Sequence, residues 1–294
     1  MTTLNEIYAQ HRCVVSFELF PPKSDAGMNA LFENLAELMA CNPHYVTCTY
    51  GAGGSTRGTT LEVLKRFRAA YPDVPCASHL TCVGAQPDEL TAYVQEALDL
   101  GIENIVALRG DPPAGEKEFK PVEGGFAYAS ELVAHLRARF DRLGIAVGGY
   151  PETHLEAPSP EADIENLKRK VDAGADVILT QLFYRNEDFL RWRDQCVEAG
   201  ITVPIVPGML PVINFAQVQR ITAMCGAQLP ETLVRRLQAH GDDLEGQLAA
   251  GAYYTARQVE ELLDEGVPGI HFYVLNKSPA ATLICRALAL HASR

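Results

Sequence analysis

Short β-rich apolar runs alternate with longer helical patterns along this 294-residue chain, and no other feature constrains its fold as tightly. The runs fall at residues 13–20, 44–49, 76–81, 104–108, 146–150, 177–181, 204–208 and 269–274. Helical periodicity follows each of them, at 28–39, 60–70, 88–100, 130–140, 160–173, 186–199, 215–225 and 279–290. The 160–173 pattern shows the logic. Ile164, Leu167 and Val171 recur three and four apart with Glu161, Glu165 and Lys168 opposite; Pro160 and Asp163 suit its first turn, and Gly174 stops it.

Strands joined throughout by helices run parallel, and eight such units at this length predict an α/β fold, a closed (β/α)8 TIM barrel read as a single domain over 1–294. An open doubly wound sheet is the alternative, and two features count against it. The first is the lack of a nucleotide fingerprint: the run from Gly51 to Thr56 has the wrong spacing for G-x-G-x-x-G, and no G-x-x-x-x-G-K-[ST] occurs. The second is alternation in the first strand. It places Ser16 and Glu18 on one face and Val15, Phe17 and Leu19 on the other, so in a barrel the polar pair faces inward and the apolar set lies under helices. Residues 229–265 exceed an ordinary connection and carry extra helical pattern, notably at 255–263, as an insertion before the last strand.

Charge and composition exclude other classes. With 25 Lys and Arg against 37 Asp and Glu the net charge is −12, and no basic run exceeds Lys168-Arg169-Lys170, so no nucleic-acid partner is expected. The balance of 47% apolar and 21% charged residues is that of a globular protein rather than a disordered or disulfide-stapled one. Residues 1–12 lack a secretory or lipidation signal, and no run is long and apolar enough to span a membrane; a cytoplasmic location without a membrane partner is the expectation. Eight scattered cysteines form no C-x-x-C pair and no zinc spacing, so no metal is expected, and buried thiols act as small hydrophobes.

In a barrel of this kind chemistry gathers at the C-terminal ends of the strands. Those ends deliver Glu18, Thr49 with Tyr50, His79 with Thr81, Arg109 with Asp111, Tyr150 with Glu152 and His154, Gln181, a Pro207-Gly208 turn, and Tyr273 with Asn276 and Lys277. Ionisable groups so placed cost free energy unless paired or used. Glu18 sits between Phe17 and Leu19, and an apolar setting favours the protonated carboxyl that general-acid work near neutrality needs. The competing reading is a structural ion pair, with Arg109 as the partner. His79 alternates inward with Ala77 and Thr81, as an active residue or a satisfied core histidine. Gly110 lets the backbone approach a ligand, and Arg109 beside it suits a phosphate or an electron-rich ring edge. Asp163, Asn166, Arg169 and Lys170 recur at helical spacing, as a solvated face or as the lining of a ribityl or diphosphate chain.

These residues lie in nine ordered motifs: SFELFPPK at 16–23, VTCTYGAGG at 46–54, HLTC at 79–82, ALRGDPP at 107–113, YPETH at 150–154, NLKRKVDAGA at 166–175, TQLFY at 180–184, VPGMLP at 206–211 and HFYVLN at 271–276. Over nearly its whole length the chain resembles the methylenetetrahydrofolate reductases, in their compact bacterial form without a regulatory half. The resemblance implies a (β/α)8 barrel with non-covalent FAD, NADH or NADPH as co-substrate, a folate substrate and a homo-oligomer. It assigns FAD binding to Thr49, His79, Arg109, Gly110, Asp111, Tyr128, Ala129, Tyr150, His154, Asp163, Asn166, Arg169 and Lys170. Gln181, Phe215, Tyr273 and Lys277 fall where the family contacts folate or nicotinamide, and Glu18 and Asp111 where it holds its general acid and an electrostatic stabiliser. Lys277 stands where related bacterial chains carry Arg, and a Lys lacks the bidentate fork for the folate's glutamate carboxylate. A proline-dehydrogenase-like flavin barrel lacks its carboxylate-binding Arg pair here; a cofactor-free pterin-binding barrel is the competing class.

Overall fold

The strands are β1 (Val14–Leu19), β2 (Tyr45–Cys48), β3 (Cys76–Thr81), β4 (Asn104–Leu108), β5 (Gly144–Gly149), β6 (Val177–Leu182), β7 (Ile205–Met209) and β8 (Gly269–Tyr273). All pairings are parallel and follow chain order, and β8 pairs back onto β1, closing the barrel. This computed structural model describes residues 2–50, 57–112, 115–116, 118–277 and 279–290; the glycine-rich 51–56 stretch and Pro113 of the fourth motif lie outside them.

Period-two alternation accounts for the layering. Val15, Phe17 and Leu19 of β1 join the large core under the helices, whereas Val14, Tyr45, Ala77, Val106, Ala146, Val177 and Val206 fill the barrel interior near its N-terminal end. Above them the inward positions turn polar: Ser16 and Glu18 on β1, His79 on β3 and His271 on β8 are all buried. The closed barrel of the sequence reading is therefore present.

The helices differ from expectation in a few places. An unforeseen helix, α1 (Leu4–Gln10), caps the N-terminal end of the barrel, where buried Leu4 and Ile7 complete the interior cluster. Thr3 caps this helix, and Glu6 reciprocates in a capping box. Then follow α2 (Asp25–Met39), α3 (Arg57–Ala70), α4 (Pro87–Asp99), α5 (Ala129–Arg137), α6 (Pro160–Asp172), α7 (Asn186–Glu198) and α8 (Phe215–Cys225). The insertion holds α9 (Glu231–Gln238) and a 21-residue helix, α10 (Leu244–Asp264), where the sequence pattern marked only 255–263; α11 (Pro279–Ala287) follows β8. The longer α10 is explained by packing, because its first half buries Gln247, Gly251 and Ala252. Gly251 lies so close to Val212 that an added Cβ would sit 2.3 Å from the Val212 carbonyl oxygen. Pro207 and Gly208, expected as a turn, lie inside β7, and no helix among the described residues is long and apolar enough to cross a membrane.

Candidate active site

The polar strand ends open into a rim with three parts. The first is a cavity of about 870 Å³ over β4 and β5, walled by α5, α6 and the loops at 118–121 and 150–158. Nine of the thirteen residues assigned by resemblance to cofactor binding line it: Arg109, Tyr128, Ala129, Tyr150, His154, Asp163, Asn166, Arg169 and Lys170. Thr49, His79, Gly110 and Asp111 do not; Asp111 is exposed just beyond β4, and Thr49 is tied into the β1–β2 ladder through its N–H to the Leu19 carbonyl at 2.8 Å.

Helix α6 presents its polar residues to this cavity because of its register. Ile164 and Leu167 are buried beneath it, and Ser159 caps its N-terminus, accepting from the Ala162 N–H. Asp163 accepts from the His154 N–H at 2.9 Å, fastening the 150–158 loop to the helix. Lys170 reaches under the floor and donates to the Gly148 carbonyl at 2.5 Å; burial pulls its ammonium down to about 8, against the opposing pull of Asp163. Arg169, more exposed, pairs with Glu165 at 2.5 Å and donates to Asn166 at 3.1 Å, while Lys168 turns away to Asp172. Of the three basic residues Lys168 alone is absent from the cavity lining, while Arg169 lines it and is also the most exposed of the three.

Arg109 does not pair with Glu18. It forms a two-pronged bond with Glu156, at 2.5 and 2.8 Å, and stacks over Phe119. That pair is raised further into its charged state on the Arg109 side by the Glu156 hydrogen bonds, yet half of Glu156 is exposed, so the pair contributes only about 0–1 kcal/mol. Gly110 carries φ of +88°, and a Cβ there would lie 2.5 Å from Val83, so this bend requires glycine. Burial raises Tyr150 to about 12, with Asp163 and Asp111 adding to it, and lowers His154.

The second part lies inside the barrel mouth. The Glu18 carboxylate stands 3.4 Å from His79 Nε2 and 3.7 Å from His271 Nε2, all three side chains being buried. Neither nitrogen is aligned for a hydrogen bond with Glu18, and among the described residues neither has another partner, nor does the Thr47 hydroxyl, on the residue paired with Glu18, or the Thr81 hydroxyl. Burial dominates at His79 and pulls it down to about 4 despite the Glu18 carboxylate, so its imidazole is neutral near pH 7. Leaving such groups unpaired costs on the order of 1–3 kcal/mol each, and four of them cluster at the barrel mouth. Sequence alone missed His271 as a site residue. Its parity with Tyr273 on β8 was the available signal.

The third part faces β6 to β8. Tyr273 donates to the Thr180 carbonyl at 2.5 Å, and burial holds its phenol well above the usual range. An added Cβ on Gly208 would lie 2.1 Å from that carbonyl and 2.7 Å from the Tyr273 ring, so the tyrosine's seat depends on glycine in β7. Phe215, at the start of α8, and Tyr273 pack on one apolar cluster that includes Leu210 and Val212. Gln181 lies at an irregular β6–β7 register, its side-chain oxygen accepting from the Leu182 N–H, and Lys277 is exposed beyond β8. Glu156, the partner of Arg109 across 47 residues, was also unforeseen, and no local pattern signals it.

Known proteins show the same chain pattern. The sequence model of methylenetetrahydrofolate reductase matches residues 3–289. The chain is 41% identical over 276 residues to 5,10-methylenetetrahydrofolate reductase of Escherichia coli (strain K12), covering 94% of this chain and 90% of that protein. A protein of Oryza sativa subsp. japonica named probable methylenetetrahydrofolate reductase (NADH) is 39% identical over 297 residues, covering 98% of this chain. The chain spans about half the length of such plant relatives, 50% for the rice protein. Among solved structures, an uncharacterized Clostridium thermocellum protein that binds two copies of 5-methyl-5,6,7,8-tetrahydrofolic acid superposes with a TM-score of 0.66 at 14% identity, covering 99% of both chains, a likeness of fold. By the extent of the sequence match and the barrel that carries it, the chain belongs to the methylenetetrahydrofolate reductase family.

Proposed function

We propose that the chain reduces 5,10-methylenetetrahydrofolate to 5-methyltetrahydrofolate with NADH or NADPH, using non-covalently bound FAD. The observation that carries this is the adjacency, on one barrel rim, of a large cavity lined by Arg109, Arg169 and Lys170 and a buried acid between two histidines. The cavity's residues fit a flavin dinucleotide: Lys170, Arg169 and Asn166 offer donors along one helix face for a diphosphate, and Asp163, His154 and Tyr150 offer polar contacts for a ribityl chain. When bound, FAD supplies the relay of hydride from the nicotinamide to the folate, in two half-reactions that share one site.

The protein's own part is proton transfer, positioning and electrostatics. Glu18 would give its proton to folate N10, opening the five-membered ring to a 5-iminium cation that accepts hydride. Its burial beside neutral His79 keeps solvent from competing for that proton. Asp111, beyond β4, would supply negative charge to stabilise the cation. Tyr273 and Phe215, which share one apolar cluster, would with Gln181 offer the face against which the folate and nicotinamide rings stack in turn, and exposed Lys277 would meet the glutamate tail.

The test is the visible absorption of the purified protein, recorded anaerobically before NADH, after it, and after methylenetetrahydrofolate. A flavin spectrum that bleaches with NADH and returns with the folate is the expected result. A colourless protein that takes up no added FAD would overturn the proposal and favour a cofactor-free pterin barrel.

A further inference from the structure

Glu18 is aimed by its backbone. Among the described residues no side-chain hydrogen bond holds its carboxyl, because the two imidazoles beside it are unaligned. The position of that carboxyl in the barrel mouth therefore depends on how firmly the end of β1 is seated. Odd-numbered residues of β1 bond toward β2, the Val15 and Leu19 carbonyls accepting from the His44 and Thr49 N–H groups; Val14, an even-numbered one, donates toward β8, to the Pro268 carbonyl. The β1–β8 register pairs Val14 with Gly269, Ser16 with His271 and Glu18 with Tyr273, so the next rung belongs to Phe20 opposite Leu275. The backbone after β8 turns away there, Leu275 and Asn276 both entering the left-handed region at φ of +50° and +58°. The Asn276 side chain takes the place of the missing strand. Its Oδ1 accepts from the Phe20 N–H at 2.8 Å and its Nδ2 donates to the Phe20 carbonyl at 2.8 Å, the donor and acceptor that a neighbouring strand would offer. The Asn276 carbonyl is held in turn by Asn34 of α2, which donates to it at 3.0 Å. Asparagine joins the two properties this position needs, tolerance of a left-handed φ and an amide that imitates a peptide group.

Resting on the reading of Glu18 as the general acid, we infer that Asn276 is its positioning residue: the amide completes the β1–β8 ladder one rung beyond Glu18 and so fixes the carboxyl where folate N10 arrives. Asn276 acts through Phe20, two residues from the acid. Without this rung the end of β1 is held only from the β2 side, by the Thr49 N–H on the Leu19 carbonyl. A small displacement of the strand end would leave the acid in place chemically but misdirect its proton, and misplacement of a reacting group slows the step it serves. The half-reaction with NADH draws no proton from Glu18 and does not need the rung. The stacking face does not hang on it either, since Tyr273 is seated separately, by its hydrogen bond to the Thr180 carbonyl and its packing against Gly208.

Asn276→Gly deletes both bonds and keeps the left-handed φ; Asn276→Asp keeps the acceptor for the Phe20 N–H and loses the donor to its carbonyl. Stopped-flow absorbance of the FAD-loaded protein follows each half-reaction. In Asn276→Gly the limiting rate of flavin reoxidation at saturating methylenetetrahydrofolate should fall about tenfold, with flavin reduction by NADH and the half-saturating folate concentration unchanged. Asn276→Asp should show a smaller loss of the same kind, and it carries the test alone if Asn276→Gly does not fold or hold FAD. Added to Glu18→Gln, either substitution should slow reoxidation no further, because an acid that has lost its proton gains nothing from being aimed. Equal slowing of both half-reactions, or a further loss in the Glu18→Gln background, would show a general support of the rim and overturn the inference. A change confined to the half-saturating folate concentration would place the effect at neighbouring Lys277 and overturn it too, as would wild-type rates in both variants. Wild-type protein that bleaches with NADH but is not reoxidised by the folate would instead overturn the reductase reading, and this inference with it.

Discussion

The two ends of the barrel solve opposite problems. At the N-terminal end, Leu4 and Ile7 of α1 seal a layer of Val14, Val106, Ala146, Val177 and Val206, and the buried Asn104 amide is fully engaged. Asn104 accepts from the Leu4 N–H at 2.8 Å and donates to the carbonyls of Thr2 and Cys76. At the C-terminal end, His79, His271, Thr47 and Thr81 each keep a buried polar atom without a partner among the described residues. One scaffold thus spends its satisfied contacts on stability at one end and leaves unsatisfied ones at the other, where a ligand can complete them.

Substitutions at the sealed end should change stability and leave chemistry intact. Leu4→Ala removes a fully buried side chain and should cost about 2–5 kcal/mol of unfolding free energy. Denaturant titration measures that loss, and the KM for folate in the same variant should stay at the wild-type value; a changed KM would mean the two ends are coupled. Smaller effects are expected on the cavity side of the open end. Lys170→Met removes its buried cation but keeps most of the stem, and FAD affinity, read by equilibrium dialysis, should fall about tenfold with little change in melting temperature.

A further effect is in the pH dependence of that same group. Lys170 loses its proton near pH 8 in the folded chain and near its ordinary value, 10.5, when unfolded. The unfolded state therefore holds more protons between those values, and the Lys170 contribution makes the ligand-free protein gain stability as pH rises through this window. Affinity for an anionic ligand should move the other way, falling as pH passes about 8. Lys170→Met should flatten both slopes relative to wild type; slopes unchanged by the substitution would show that Lys170 is not their source.

Period and parity made the scaffold readable. The two-residue alternation of β1 told Glu18 from Phe17, and the helical spacing of Asp163, Asn166, Arg169 and Lys170 grouped residues that the cavity brings together, without deciding between a solvated face and a ligand lining. What escaped is what closure creates. Arg109 meets Glu156 across 47 residues, and Glu18 meets His271 only because β8 returns to β1. Neither pairing has a local spacing. Helix α1 escaped for another reason: at seven residues its stability comes from plugging the barrel rather than from a long amphipathic repeat.

The account stands most directly on Glu18, the buried acid at the open end. Glu18→Gln preserves shape and hydrogen-bonding groups but removes the transferable proton. Stopped-flow absorbance of the variant should show NADH reducing the flavin at the wild-type rate and methylenetetrahydrofolate reoxidising it about 100-fold more slowly or worse. Reoxidation at the wild-type rate would contradict the account, leaving the unpartnered groups around Glu18 without the role given them.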